Sequence, residues 1–373
     1  MRTNKYKAAL CLFFAAFFAL CGGVRSLALE GGDYLCRVSS FYDTEDSVEA
    51  ISENVNIGSR FGELFFGEGK SKSAIKLIPG GEIFGVKINQ GNVTVTESKG
   101  VPLLKRGDVI VSINGKKVKT VSEVKDILAK CGGESITIRV LHAGEDVGIE
   151  VRPSLVDGEY KLGISLRDGA AGIGTVTFYE PESGLFGGLG HGICDSDTGE
   201  IVPMEQGVAT GAILGSVHKG ECGKPGELTG ILTDEVKGTL NVNSDCGVFG
   251  CLDDENVPAR TAITIASKNE VLAGEAKIIS TVKNGKTSEY KIEIFDIDAS
   301  SHGSKSFRVR VTDEALKAMT GGIVRGMSGS PIIQNGKLVG AVTHVMVANP
   351  TEGYGIFIEN MLNAAQVPMA KAA

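Results

Sequence analysis

Hydrophobic residues in this chain come mostly in short runs broken by glycine, with one clear stretch at helical spacing. Ile83-Phe84-Gly85-Val86-Lys87-Ile88 reads as a short strand opened by Gly80-Gly81. Val109, Val111 and Ile113 alternate with Ile110 and Ser112, and Asn114-Gly115 supplies a turn. Thr120, with Glu123 three residues on, forms a capping box. It opens a helix whose Val121, Val124, Ile127 and Leu128 share a face. Strands over 135–140 and 147–151 follow. Beyond Pro153 the pattern is strand-like to the end. Two hairpins stand out: 277–282 with 290–294 around Asn284-Gly285, and 331–333 with 338–345 around Asn335-Gly336.

Composition supports a β-rich reading and narrows the class. At 373 residues the chain has room for about two domains. Its 42% hydrophobic and 22% charged residues fit a globular protein. The 51 glycines fit tight turns between strands. A net charge of −7 leaves no basic footprint, so nucleic-acid binding is set aside. At the N-terminus Arg2, Lys5 and Lys7 precede an uncharged run over 8–24 that Arg25 closes. That pattern predicts an export signal or signal anchor over 1–28, tethering the protein to a membrane. Export permits disulfides among the eight cysteines. With no C-x-x-C pair, no metal or other cofactor is expected.

Four regions are therefore expected: the signal over 1–28, an unclear stretch over 29–79, and two folded domains over 80–153 and 154–373. The order strand, "GDVIVSING", capped helix, strand resembles a PDZ domain. In that family a glycine-containing loop receives a peptide's terminal carboxylate and the peptide extends the sheet edge. Gly81, Phe84, Gly85 and Val86 fall in the corresponding place. For 154–373 the expected architecture is an antiparallel β-barrel or sandwich.

The sharpest chemical signal is Gly326-Met327-Ser328-Gly329-Ser330-Pro331, followed at once by an apolar strand. A serine nucleophile needs its Oγ exposed on a tight turn. Its own N–H and that of Gly326 must point together at the developing oxyanion. This pattern is what trypsin-like proteases show. For the base, His191 in "GGLGHGI" is favoured over His344, which lies in a predicted strand. His191 precedes Ser328 in the chain, as the base does in chymotrypsin-type enzymes. For the acid, Asp313 follows Phe307, Val309 and Val311 at strand spacing, although it equally reads as the cap of a helix starting at Glu314. Asp195 and Asp197 are the other candidates.

Together, "GLGHGICDSDTG", "VTDEALKAMTGGIVRGMSGSPIIQNGKLVGAVTHV" and "PTEGYGIFIENML" resemble the SpoIVB (stage IV sporulation protein B) peptidases of endospore-forming bacteria. The resemblance implies a PDZ-like domain followed by a trypsin-like serine peptidase barrel. It also implies export into the space between forespore and mother cell, and self-cleavage. A membrane-bound regulator of an intramembrane protease is the implied substrate, and its cleavage leads to activation of a late mother-cell sigma factor. The family's triad maps onto His191, Asp313 and Ser328. The PDZ-like module is expected to act as a peptide clamp on the protein's own N-terminal segment or on the substrate tail. Met327 replaces the aspartate with which digestive trypsins bind a new N-terminal amine, so that route of activation is closed. Two other functions compete: an HtrA-like quality-control protease, in which the protease domain usually comes first, and an inactive PDZ adaptor.

Overall fold

The computed structural model describes residues 75–195 and 199–366, together with Arg60 and Gly62. All of them fall in one compact unit, Val38–Ala373. The predicted signal, most of the 29–79 stretch, and Asp197 lie outside the described residues.

Along the chain, β1 (Lys76–Pro79) and β2 (Ile83–Ser98) precede β3 (Val109–Ile113), β4 (Lys116–Lys117), helix α1 (Val121–Lys130), β5 (Ile136–His142) and β6 (Glu145–Val151). A small pair, β7 (Ser154–Val156) and β8 (Glu159–Lys161), leads to β9 (Ile164–Tyr179). Next come β10 (Leu185–Gly188), β11 (Gln206–His218), β12 (Glu227–Ser244), β13 (Gly247–Leu252) and β14 (Ile263–Thr264). The last third holds β15 (Gly274–Lys283), β16 (Lys286–Phe295), β17 (Phe307–Val311), helix α2 (Glu314–Thr320), β18 (Pro331–Gln334), β19 (Lys337–Met346), β20 (Asn349–Phe357) and helix α3 (Ile358–Ala364).

Local chemistry explains the turns. Asn284-Gly285 and Asn335-Gly336 both take positive φ, the I′ geometry that joins β15 to β16 and β18 to β19. At α1 the Thr120 hydroxyl accepts from Glu123 N, and the Glu123 carboxylate accepts from Thr120 N, so both halves of the predicted capping box form.

The strands build two barrels. β15, β16, β17, β20, β19 and β18 close one directly. β9, β10, β13, β12, β11 and β2 form the other, which the β2–β9 pairing closes. Phe84, Val86, Ile88, Val176, Phe186 and Val248 belong to the core of the β2/β9 barrel, the first in chain order. Ile278, Ile292, Phe307, Val309, Ile332 and Val342 belong to that of the second. A third cluster, including Leu77, Phe178, Phe249, Leu338, Ile356 and Met361, draws on strands of both and cements them together. The fold is mainly β, a PDZ-like module with a trypsin-like barrel pair, as expected.

The division of the chain differs from the expected 80–153 and 154–373. β2 and β9 are each 16 residues long and serve two bodies. Their inner halves are barrel staves, paired from Ile83↔Thr175 to Asn89↔Gly169. Their outer halves pair from Thr94↔Arg167 to Ser98↔Ile164 and run into the PDZ-like module. There they join β3, β5 and β6 around Val95, Ile110, Ile113, Val124, Leu128, Ile138 and Val140. The module is thus inserted into the first barrel rather than placed ahead of it.

This relocates the predicted peptide-binding loop. Gly81, Phe84, Gly85 and Val86 sit in the barrel, not the module. Gly81 O accepts the Thr281 hydroxyl of the second barrel at 2.8 Å. Phe84 is buried edge-on against Phe186. Gly85 and Val86 face Thr210 and Ala209 across the β2–β11 ladder. The strand expected over Ile83–Ile88 continues without a break to Ser98. In the module α1 lies against β8 and β9, whose Tyr160, Ile164 and Leu166 pack on the module core.

Candidate active site

Ser328 lies on the turn between α2 and β18. The turn is tied by Met327 N to Val324 O and by Ser330 N to Met327 O, at 3.1 and 2.9 Å. Gly326 and Gly329 take φ of +94° and +96°, a region costly for residues with a Cβ. At Gly329 a Cβ would also lie 2.0 Å from Thr175 O.

The first barrel holds this turn of the second. Thr175 and Thr177 alternate on β9, so their side chains share a face, and both are fully buried. Thr175 Oγ1 donates to Gly326 O and Thr177 Oγ1 to Gly329 O, each at 2.8 Å. Thr175 N donates to Ser328 O at 3.1 Å. Three bonds therefore bracket the serine, and the N–H groups of Gly326 and Ser328 make no backbone hydrogen bond among the described residues. Ser328 Oγ donates to Thr343 O at 2.6 Å.

His191 follows β10 on a loop anchored by Asn243, a buried residue of β12. Asn243 Oδ1 accepts from Ile193 N at 2.9 Å, while Nδ2 donates to Ile193 O at 3.0 Å and to Val202 O at 2.9 Å. The ring's Nδ1 lies 2.9 Å from Gly192 O. A carbonyl can only accept, so Nδ1 carries the proton and Nε2 keeps its lone pair. Burial holds this imidazole below its ordinary value, against the opposing effect of that bond. His344 of β19 packs 4.9 Å from it, ring centre to ring centre. Burial, aided by the neighbouring His191 and Lys305, pushes His344 down to about 4.

His191, His344, Thr343, Gly326 and Ser328 line one cavity of about 590 Å³, whose wall includes Ala170, Ala171, Gly172 and Ile173 of β9. The predicted nucleophile, base and oxyanion groups are thus assembled in one cavity, along with the alternative base. No hydrogen bond joins Ser328 to His191 in this conformation; each holds a carbonyl instead.

Asp313 is not with them. β17 ends at Val311, where Thr312 N and Asp313 N both turn to Lys291 O. The Asp313 carboxylate then caps α2, accepting from Leu316 N at 3.0 Å and from Lys291 N at 3.2 Å. Desolvation works to raise its pKa, yet these N–H groups and that of Ala315 outweigh it and leave the value lowered. It does not line the cavity. Strand alternation extended past the end of the strand gave the coreward expectation; in the structure the cap reading prevails. Asp195 pairs with Arg167 of β9. Ser330 is fully buried against Ser280 and Met327 fully buried in the second barrel core, so neither reaches substrate.

Sequence reasoning missed Thr175, Thr177, Asn243 and Arg167. Only the threonines left a trace, as alternate polar residues within the apolar "GTVTFY".

Two barrels with a serine and a histidine facing one cavity between them, and a PDZ-like module alongside, define a serine peptidase of trypsin-like architecture. The chain belongs to the SpoIVB peptidase S55 family, matched over residues 158–362. A PDZ domain is matched over 104–141. Among solved structures it is similar to the PDZ domain of an SdrC-like protein from Listeria monocytogenes, at 28% identity over 21% of this chain and 90% of that one, with a TM-score of 0.20. It is also similar to the Rv3671c protease from M. tuberculosis in its active form, at 12% identity over 55% and 79%, with a TM-score of 0.33. The HtrA-type protease AlgW with a decapeptide is similar at 11% identity over 76% and 63%, with a TM-score of 0.32. No curated protein matches the chain.

Proposed function

We propose that this serine peptidase is exported and tethered by its N-terminal segment. It cleaves itself and a membrane-bound regulatory protein in the space between forespore and mother-cell membranes. The second cut releases an intramembrane protease that activates a late mother-cell sigma factor. Family membership supports this substrate class, and the basic-then-apolar N-terminus supports the compartment.

In this reading Ser328 Oγ leaves Thr343 O, gives its proton to His191 Nε2 and attacks the scissile carbonyl. The N–H groups of Gly326 and Ser328 receive the developing oxyanion. His191 then returns the proton to the leaving amine. Gly192 O does the orienting that a carboxylate does in most triads, by fixing the proton on Nδ1. The observation that carries the reading is that Ser328 and His191 line one cavity with this tautomer set.

The PDZ-like module, on this view, clamps the protein's own N-terminal segment or the substrate tail. An HtrA-like quality-control role is the second reading, and the inserted position of the module speaks against it, since HtrA proteases usually carry the PDZ domain after the catalytic one. The test is fluorophosphonate labelling with the adduct mapped by mass spectrometry, alongside cleavage of unfolded casein. Labelling at Ser328 with poor casein cleavage is expected. Label elsewhere, or label retained in Ser328→Ala, sinks the assignment, and vigorous casein cleavage favours the second reading.

A further inference from the structure

We infer that Arg167 is a positioning residue for the catalytic histidine, acting through Asp195 from the strand that the PDZ-like module shares with the first barrel. The inference rests on His191 being the base.

Successive residues of a strand point to opposite faces, and Arg167 and Asp168 use both. Asp168, fully buried, accepts from Val121 N at 2.7 Å and so caps the first turn of α1. Arg167 reaches the other way, where its guanidinium hydrogen-bonds the Asp195 carboxylate. Asp195 lies four residues after His191 on the same loop. Its side chain is 17% exposed and that of Arg167 is 21% exposed, so water screens the pair little.

The His191 loop is thereby held at two places. Asn243 grips Ile193 from inside the barrel, and Arg167 grips Asp195 from the module side. Between them Cys194 bridges Ile201, and Asp195 N donates to Glu200 O at 2.8 Å, so backbone bonds hold the loop next to both anchors. Losing either charge removes the ion pair that ties the loop to β9. In the other direction β9 runs on from Arg167 through Ala170–Ile173 in the cavity wall to Thr175 beneath Ser328.

The test is a double-mutant cycle in the full chain with Arg167→Gln, Asp195→Asn and their combination, plus Arg167→Lys. Fluorophosphonate labelling rate, kcat and KM on a fluorogenic peptide, and thermal midpoint are read together. Each single change is expected to lower kcat by about tenfold to a hundredfold with KM in place, the loss a slightly displaced catalytic group produces. The combined variant should be no slower than the worse single one. Arg167→Lys, which keeps the charge, should recover most of the rate. Additive losses, or a lowered midpoint with kcat intact, overturn the inference. His191→Ala separates the two levels: if it still labels at the wild-type rate, the base assignment fails and this inference with it. If it is dead while the cycle is additive, only this inference fails.

Discussion

Replacing Asn243 should loosen the histidine loop before anything else. Its carboxamide makes three hydrogen bonds of 2.9–3.0 Å, two of them to Ile193 and one to Val202. At about 1 kcal/mol net apiece they contribute roughly 3 kcal/mol, and leaving their buried partners unpaired raises the loss to about 3–5 kcal/mol. Asn243→Leu, of similar size, removes all three without opening a cavity. Asn243→Asp keeps an acceptor for Ile193 N but sets a carboxylate against two carbonyl oxygens. Burial and those oxygens raise the folded-state pKa of that carboxyl above its unfolded value. The folded state then holds the proton more tightly, so the Asn243→Asp penalty grows as pH rises and shrinks as pH falls toward the unfolded pKa. Urea unfolding in a Ser328→Ala background, where self-cleavage cannot intrude, measures both effects. In the active background kcat should fall further than KM changes. A loss under about 1 kcal/mol with normal kcat would refute the anchoring role.

Three further outcomes are expected. Because burial lowers the His191 pKa, the neutral base persists below the ordinary histidine value of 6.5, and kcat/KM should fall only as pH drops through that lowered value; an acidic limb at or above 6.5 contradicts this. Gly329→Ala puts a Cβ 2.0 Å from Thr175 O at a φ of +96°, and should cost about 2–4 kcal/mol in urea unfolding and abolish labelling of Ser328; a variant with normal stability and labelling would show that the turn tolerates a side chain. Asp313→Asn still caps Leu316 N but turns an NH2 toward Lys291 N, so it should lower the thermal midpoint slightly and keep turnover, while Asp313→Ala loses about 1 kcal/mol. A ~10⁴-fold loss of turnover in Asp313→Asn with no more than that slight drop in midpoint would return Asp313 to the orienting role.

Local signals in the sequence were read well because local chemistry decides them. The Asn-Gly hairpins, the Thr120 capping box and the positive-φ glycines around Ser328 are fixed by a few neighbouring residues. The pairing of Ser328 with His191 in one cavity was legible from motif and chain order. What failed was long-range. Ile83–Ile88 reads as a complete short strand, because nothing local says that β2 continues through Asn89 into another body. The glycine-rich run in 169–174 hides the length of β9, although Gly169 there serves close approach to Ile88 of β2 and Gly174 makes room for Leu189. Asp313 kept the alternation of β17 for one step after hydrogen bonds to Lys291 O had ended the strand.

The side-by-side crossing of β2 and β9 makes the module an exchangeable cassette. Asn89 and Gly169 face each other across the ladder, so the chain leaves the barrel and returns to it at one doorway. Excising everything between them and rejoining the ends through a two-residue Asn-Gly link, of the kind already used elsewhere in the chain, should leave the barrel closed while removing the Arg167–Asp195 pair. A foreign domain with adjacent termini can be grafted at the same point for little closure entropy. Truncation from the N-terminus, in contrast, would carry off β2 and open the first barrel.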